Sequence, residues 1–332
     1  MVTALKLTFS GPATPIVLGQ STATTLQEEL LDILSSDLDE NLSSNSSQVL
    51  ICTDFDLRTL VRIGRHKNHY TQRVLLRFEP EVVNPLGYTK IFEAKFDAII
   101  QVGRPPKESE FNLHWPQPSL GFLDAQEIGE RIEDEFPIVN ANKISLIPGE
   151  LYSLRRQLAQ QIPGVVLFGN GWGSGLRSRL RPLLVAALMA LVARKFRFSA
   201  FKHWFSSYPN WRGASEDKQL TLSQFKTALV IENSREFLSE KLFDAWNAGC
   251  IPVYVGLEDL KSLSLPRHLV IEAEPNLPAV RRALERAASI DRASYITEVR
   301  LWLGSPACKA NWSMDSFIDE LAATLRQIVR EG

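Results

Sequence analysis

Between Phe225 and Gly256 the chain reads FKTALVIENSREFLSEKLFDAWNAGCIPVYVG, and this run restricts the fold more than any other part of it. Ala228-Leu229-Val230-Ile231 is an unbroken apolar stretch that stops at the polar triplet Glu232-Asn233-Ser234. After a polar loop, Ser239 stands in an N-cap position ahead of Glu240 and Lys241. The spacing of Leu242, Ala245, Trp246 and Ala248 predicts a helix over 240–248, ended by Gly249. Cys250 to Val255 reads as a short buried strand. Strand, loop, helix, strand is a βαβ unit, which belongs in a parallel sheet. Its loop and helix start gather at the carboxyl edge of the strands, where open α/β sheets bind ligands and unpaired N–H groups favour anions. A carboxylate beside an ammonium there suits a nucleotide sugar, whose ribose hydroxyls need an acceptor and whose phosphates need a cation.

The remaining pattern extends this α/β reading. Strands are expected over 4–9, 49–53, 74–78 and 96–102, and a helix over 26–34. Gly103 to Ile138, rich in Pro, Asn, Gln and acidic residues, reads as an irregular excursion. A second cycle follows: a strand over 144–147, a helix over 151–161, and a strand over 165–168 running into Gly169-Asn170-Gly171-Trp172. Helices over 278–290 and 314–329 close the chain. The layout predicts two Rossmann-like halves, 1–150 and 151–332.

With 332 residues, 45% of them hydrophobic, the chain can bury a sizeable core, and a formal charge of −1 argues against nucleic acid as the main partner. Three cysteines, Cys52, Cys250 and Cys308, are too few for a disulfide framework and suit a reducing compartment. No signal-peptide pattern is visible near Met1. The most apolar run, Leu183 to Val192, is well short of the roughly 20 residues that span a bilayer. The chain therefore reads as cytoplasmic, without an integral membrane segment. On that reading the N-x-[ST] matches at Asn41, Asn45 and Asn311 are chance.

The segments ENS, SEKL and AGCIPVYVG together resemble the signature of glycosyltransferase family 10, the α1,3/α1,4-fucosyltransferases. Gly213, Lys218 and the Phe225-Lys226 pair fall where that family has a glycine, a lysine and an aromatic-lysine pair before E-N-S. The strong match covers 211–256, with fainter agreement over 75–172. The resemblance implies a GT-B architecture: two Rossmann-like domains facing across a cleft, the N-terminal one on the acceptor side and the C-terminal one holding the donor. It implies inverting transfer of fucose from GDP-fucose to a glycan hydroxyl, without a metal or other cofactor. Asn233 then contacts the donor sugar, Glu240 accepts from ribose hydroxyls, Lys241 pairs with the phosphates, and Lys226 lies near the same mouth. Phe237 stands where the family commonly has Tyr, so a ring remains for stacking and a hydroxyl is gone. Family members with a membrane anchor are poorer comparisons than bacterial-type soluble ones, which implies an enzyme in the cytoplasm or peripheral to the inner membrane face.

Two further positions draw on both readings. Glu79, at the end of the strand over 74–78 and fixed by Pro80, is placed to take a proton from an attacking hydroxyl. It aligns with the family's proposed base, and Glu81 competes for the role. Arg155 and Arg156 open the helix over 151–161, and a guanidinium fork suits phosphate oxygens. The family has a diphosphate-binding arginine there; Arg155 matches best by spacing, and Arg156 remains open.

Other patterns carry less. The glycines from Gly169 to Gly175 miss the dinucleotide-binding register, and no acidic residue follows at the required distance; a flexible turn near the donor is the better reading. His66 and His69 sit among Arg62, Arg65 and Lys67 and read as a basic solvated face, and Asp37 and Asp39 as a solvated loop. No zinc spacing appears. The GCIPV segment alone also allows an exostosin-like enzyme with another nucleotide sugar, and loss of the base would leave a non-catalytic nucleotide-sugar-binding protein.

Overall fold

The computed structural model describes residues 6–11, 48–65, 69–105, 111–117, 120–121, 131–173, 175–258 and 260–331. The helix expected over 26–34, the Asp37 and Asp39 pair, Asn41, Asn45, His66, Lys67 and Ser174 lie outside the described residues. The chain divides into two compact units, one of residues 1–116 with 314–332 and one of 117–313.

In the first unit, β1 (Lys6–Ser10), β2 (Gln48–Thr53), α1 (Leu57–Arg65), β3 (Gln72–Arg77), α2 (Lys90–Glu93), β4 (Ala98–Val102) and β5 (Phe111–Leu113) follow in order. The strands form a parallel five-stranded sheet in the order β1-β2-β3-β4-β5. Its central strands are continuous apolar runs because both faces are covered. One face packs through Leu50, Cys52 and Leu75 onto Phe55, Ile63 and Phe96. The C-terminal helix, Met314–Glu331, belongs to this unit, and its Phe317 ring lies 6.0 Å from that of Phe78. Arg62, Arg65 and His69 are exposed, as a solvated basic face requires.

The second unit runs β6 (Phe136–Val139), α3 (Tyr152–Gln161), β7 (Val165–Phe168), α4 (Leu176–Ala193), α5 (Lys218–Leu222), β8 (Thr227–Ile231), α6 (Lys241–Asn247), β9 (Ile251–Val255), β10 (Ile271–Glu272), α7 (Leu277–Ala288), α8 (Arg292–Leu303) and α9 (Pro306–Trp312). Parallel ladders join β10-β9-β8 and β6-β7, and a bridge between Ile132 and Phe225 brings β6 alongside β8. Every residue of β8 and β9 is buried. Behind them α6 is anchored by aromatic packing: Phe243 and Trp246 meet Trp302 and Trp312 at centroid separations of 5.0–5.8 Å. The Trp246 indole N–H donates to the Leu269 carbonyl and to the Tyr295 hydroxyl. The cysteines are free and buried, and burial pushes each thiol up to about 12, which leaves no thiolate nucleophile.

The structure departs from the sequence reading in several places. Residues 144–147 form no strand; Leu146 and Ile147 are buried without joining a ladder, and the strand is Phe136–Val139, inside the expected excursion. Accordingly the second unit begins at Gln117 instead of near 150, and the last helix returns to the first unit. Two additional helices, α8 and α9, precede that helix, each started by a side chain accepting from an N–H three residues on: Asp291 from Ser294 and Ser305 from Cys308.

Trp246 fills the interior behind the motif and satisfies its own donor there. Trp246→Ala is expected to lower the unfolding free energy by about 3–5 kcal/mol, read by denaturant titration. A loss below about 1 kcal/mol would show that α6 is held by something else.

Candidate functional site

At the carboxyl end of β8 the chain closes a loop on itself. Glu232 extends the strand by donating its N–H to Val255, and its carboxylate is 0% exposed. That carboxylate accepts the Ser239 N–H at 2.9 Å, the Ser239 hydroxyl at 2.9 and 3.0 Å, and the Lys241 ammonium at 3.1 Å. The Lys241 ammonium also donates to Ser239 Oγ at 2.6 Å. Gly256 makes room for this arrangement, since a Cβ there would stand 2.6 Å from Glu232 Cγ and 2.4 Å from the Tyr254 hydroxyl oxygen.

Ser239 is therefore not an N-cap. Its hydroxyl is committed to a carboxylate, a charge-assisted bond stronger than a neutral cap. The helix begins instead at Lys241, preceded by Glu240 in helical geometry (φ −63°, ψ −20°) with no side-chain cap. At seven residues, α6 is a short dipole, and the positive end expected from the sequence is correspondingly weak.

Asn233 is held from two sides. Its carbonyl accepts from Leu151 at 3.1 Å, and its side-chain oxygen accepts from Arg155 Nη2 at 3.1 Å; the same nitrogen donates to the Ile231 carbonyl at 2.5 Å. Arg155 is only 2% exposed, and burial lowers its pKa against the opposing pull of Tyr152, Glu232 and Glu150. Two buried polar atoms in this corner, Arg155 Nε and Ser234 Oγ, have no hydrogen-bond partner. Arg156 points elsewhere: its guanidinium donates to the carbonyls of Lys143, Ala200 and Lys202, stitching loops to α3. The structure thus brings Arg155, and not Arg156, to Asn233.

Glu240 and Lys241 lie in a chain of alternating charge. Lys218 donates to Glu240 at 3.0 Å and to Asp244 at 3.2 Å, while the Lys241 ammonium lies 3.8 Å from Glu240. Burial opposes ionisation of Glu240, yet Lys241 and Lys218 outweigh it and hold the carboxyl well below the usual carboxylate range. For Lys218, burial is likewise overcome by Glu240 and Asp244, and its pKa is raised. A crevice of about 20 Å³ lies beside Lys218, Lys241 and Asp244. A larger hollow of about 360 Å³, lined by Trp172, Leu176, Arg179 and Phe205, carries no residue of the motif.

Two expected donor residues are not presented to a ligand in this corner. Lys226 precedes β8 and so sits at the amino edge of the sheet, donating to Ala288 at 3.2 Å and lying 3.7 Å from Glu133. Phe237 is 1% exposed, its ring part of the interior instead of a surface for stacking. The Gly169 turn is tight: a Cβ at Gly169 would meet the Asn140 carbonyl oxygen at 2.7 Å, and the Trp172 indole donates to that same oxygen at 2.6 Å.

In the first unit, Glu79 follows β3 half-buried, and its backbone explains its position. Asp54 Oδ1 accepts the N–H groups of Phe78 and Glu79 at 2.9 and 3.0 Å, while the Tyr88 hydroxyl donates to the Glu79 carbonyl at 2.8 Å. Arg104 donates to that hydroxyl at 2.8 Å. Glu81 is half-buried on the following turn. Asp54 itself is buried at positive φ (54°), and its Oδ2 has no hydrogen-bond partner. Burial pushes its carboxyl up to about 7; the N–H groups of Glu79 and Phe78 oppose this, and the Glu79 charge reinforces it. Sequence reasoning missed Asp54, although an acid directly after an apolar strand was a visible signal. Among the described residues, no group of three or more His, Cys, Asp or Glu side chains could hold a metal ion.

No protein-family model matches this chain, and neither does any curated protein sequence. Solved structures do. A glycosyltransferase from Rickettsia africae ESF-5 is similar over 99% of this chain and 100% of its own, with a TM-score of 0.52 at 7% identity. Sucrose-phosphate synthase from Thermosynechococcus elongatus is similar over 95% of this chain and 82% of its own, with a TM-score of 0.51 at 13% identity. An α1,3-fucosyltransferase is similar over 99% of this chain and 92% of its own, with a TM-score of 0.48 at 12% identity. The architecture is α/β, the GT-B fold, with a parallel sheet in each unit.

Two outcomes are expected from these geometries. Lys241→Met strands the Glu232 carboxylate without its cation and should cost about 3–5 kcal/mol of unfolding free energy. Adding Glu232→Gln should restore most of it, and a double-mutant cycle showing no coupling would remove the pair from the account. Asp54 holds a proton in the folded state that the unfolded chain releases, so its contribution to stability falls as pH rises from about 4 to about 7 and is flat above. Asp54→Asn should abolish that decline, up to about 4 kcal/mol. Parallel melting-temperature profiles for the two proteins over this range would contradict the assignment.

Proposed function

We propose that this protein is an inverting glycosyltransferase that uses a nucleotide-diphosphate sugar, with GDP-fucose as the donor, and a glycan hydroxyl as the acceptor. The carrying observation is the corner at the end of β8, where Arg155 fixes Asn233 and where Glu232, Ser239, Lys241, Glu240 and Lys218 form one connected network. The unpartnered Arg155 Nε and Ser234 Oγ supply a donor and a hydroxyl not yet used by the protein. The E-N-S and S-E-K residues named for the fucosyltransferase resemblance are the ones that build this corner.

In the reaction the acceptor oxygen attacks C1 of the sugar, and the bond from C1 to the phosphate oxygen breaks with inversion. The hydroxyl proton passes to the Glu79 carboxylate, and the nucleoside diphosphate takes the bonding electron pair. Lys241 and Arg155 would offset the charge that develops on it. Glu240, kept ionised by two ammonium groups, would accept from the ribose hydroxyls. Asp54 would orient Glu79 through its backbone. Because Lys241 already neutralises Glu232, its role toward a diphosphate is to be shared with that carboxylate.

Thermal-shift titrations with GDP, UDP and dTDP test the donor. GDP at 100 times its dissociation constant should stabilise the protein by about 2.7 kcal/mol, and Asn233→Ala should weaken that binding. Glu79→Gln should lower turnover of GDP-fucose on a glycan array by about 10²–10⁴-fold with GDP affinity unchanged. Stabilisation by UDP or dTDP alone would move the enzyme to another donor class, such as the exostosin-like one. Binding of GDP without transfer or hydrolysis would make it a binding protein.

A further inference from the structure

Helix α4 is unlike the rest of the second unit. Of its 18 residues only Arg179, Ala186 and Ala190 are buried, and they share one narrow side. The opposite side is apolar and bare. Leu176, Leu180, Leu184 and Leu188 recur at four-residue spacing, with Val185, Leu191 and Val192 beside them, and Leu184 is 70% exposed. The stripe runs the length of the helix, about 27 Å. Beyond its left-handed end at Arg194 the chain continues with Phe196 and Phe198, the latter 79% exposed.

Charge frames this surface with one sign. No Asp or Glu occurs between Glu150 and Glu216. Exposed Arg177 and Arg181 lie at one end of α4, exposed Arg194, Lys195 and Lys202 at the other, and residues 182–193 are uncharged. Arg197 is partnered, 3.7 Å from Glu150. Monomeric soluble proteins rarely leave so continuous an apolar strip open. Among the described residues, no helix is long and apolar enough to cross a membrane.

We propose that α4 and the Phe196–Phe198 segment form a docking surface for an anionic lipid bilayer, lying in its interface with the leucines and phenylalanines among the acyl chains. The flanking Arg and Lys ammonium and guanidinium groups reach the phosphate headgroups, as long basic side chains do when their stems rest on apolar surroundings. A second copy of this chain fits less well, because both ends of α4 are basic and a two-fold contact would set Arg177 and Arg181 of one copy against basic residues of the other. Nucleic acid would meet a leucine stripe that offers its bases and phosphates nothing.

The test is sedimentation of the whole chain with vesicles of phosphatidylcholine alone and of phosphatidylcholine with phosphatidylglycerol, at low and high salt. The protein should pellet with the anionic vesicles at low salt and stay in solution with the neutral ones. Arg177→Gln with Arg181→Gln should weaken binding roughly 25-fold, about fivefold per charge. Leu184→Glu with Leu188→Glu should weaken it by at least about tenfold. These leucines are exposed, so the fold should survive; Leu184→Ser with Leu188→Ser serves if it does not. In Phe198→Trp the tryptophan emission should shift to the blue when anionic vesicles are added. Failure to pellet at low salt, binding untouched by the leucine substitutions, or an unshifted Phe198→Trp spectrum would each overturn the proposal. So would analytical ultracentrifugation showing a dimer that the leucine substitutions dissociate, which would give the face to a second copy.

Discussion

The ion pair between Glu232 and Lys241 is the constraint on which the rest of the motif depends. A carboxylate with no solvent contact is costly unless it is paired and hydrogen-bonded. Here an ammonium, a hydroxyl and a backbone N–H converge on it. Satisfying that one group brings residue 239 back to residue 232, starts α6 at Lys241, and leaves Asn233 turned toward Arg155. Gly256 follows from the same need, since any side chain there would collide with the Glu232 stem. The letters of the motif are thus first a folding device. Chemistry, where it occurs, is carried out by groups that the device positions.

This changes how the charged residues should be weighed. Lys241, taken alone on a helix, suggests a cation waiting for a phosphate. In place, its nearest obligations are to Glu232 and Ser239, and Glu240 is met by Lys218 before any ligand arrives. Within the network Lys241 and Lys218 hold the Glu240 carboxyl well below the usual carboxylate range, and Glu240 and Asp244 in turn raise the Lys218 ammonium. Preformed ionisation of this kind removes the need to reorganise side chains when a charged substrate binds. The first unit differs: burial outweighs the N–H groups of Glu79 and Phe78 and the Arg77 charge at Asp54, and pushes its carboxyl up to about 7.

What could be read from the sequence followed from burial on both faces of a sheet. Continuous apolar runs such as 228–231 and 251–255 announce central parallel strands, and those positions are strands in the structure. The strand at Phe136–Val139 was hidden because Pro137 interrupts it and Glu133, Asp134 and Glu135 precede it, so local polarity outweighed its buried Ile138. Residues 144–147 misled in the opposite sense, being apolar enough for a strand yet buried without a ladder. Lys226 was grouped with the ligand edge by proximity in sequence, although a residue that precedes a strand lies at its opposite edge. Ser239 had the residue type of a cap, and only the fold could show that a buried acid claims its hydroxyl. Asp54 was visible as an acid directly after an apolar strand, but its link to the backbone of Glu79 required knowing which strand ends lie side by side.

The closure of the loop at Glu232 separates the inside of the motif from its rim. Arg235 and Glu236 occupy the outer turn, where Arg235 pairs with the carboxylates of Glu258 and Glu274. Sequence drift at those two positions leaves the knot beneath them untouched. Substitution on the rim therefore changes the outer charge of the motif while the arrangement of strand and helix beneath it stays the same.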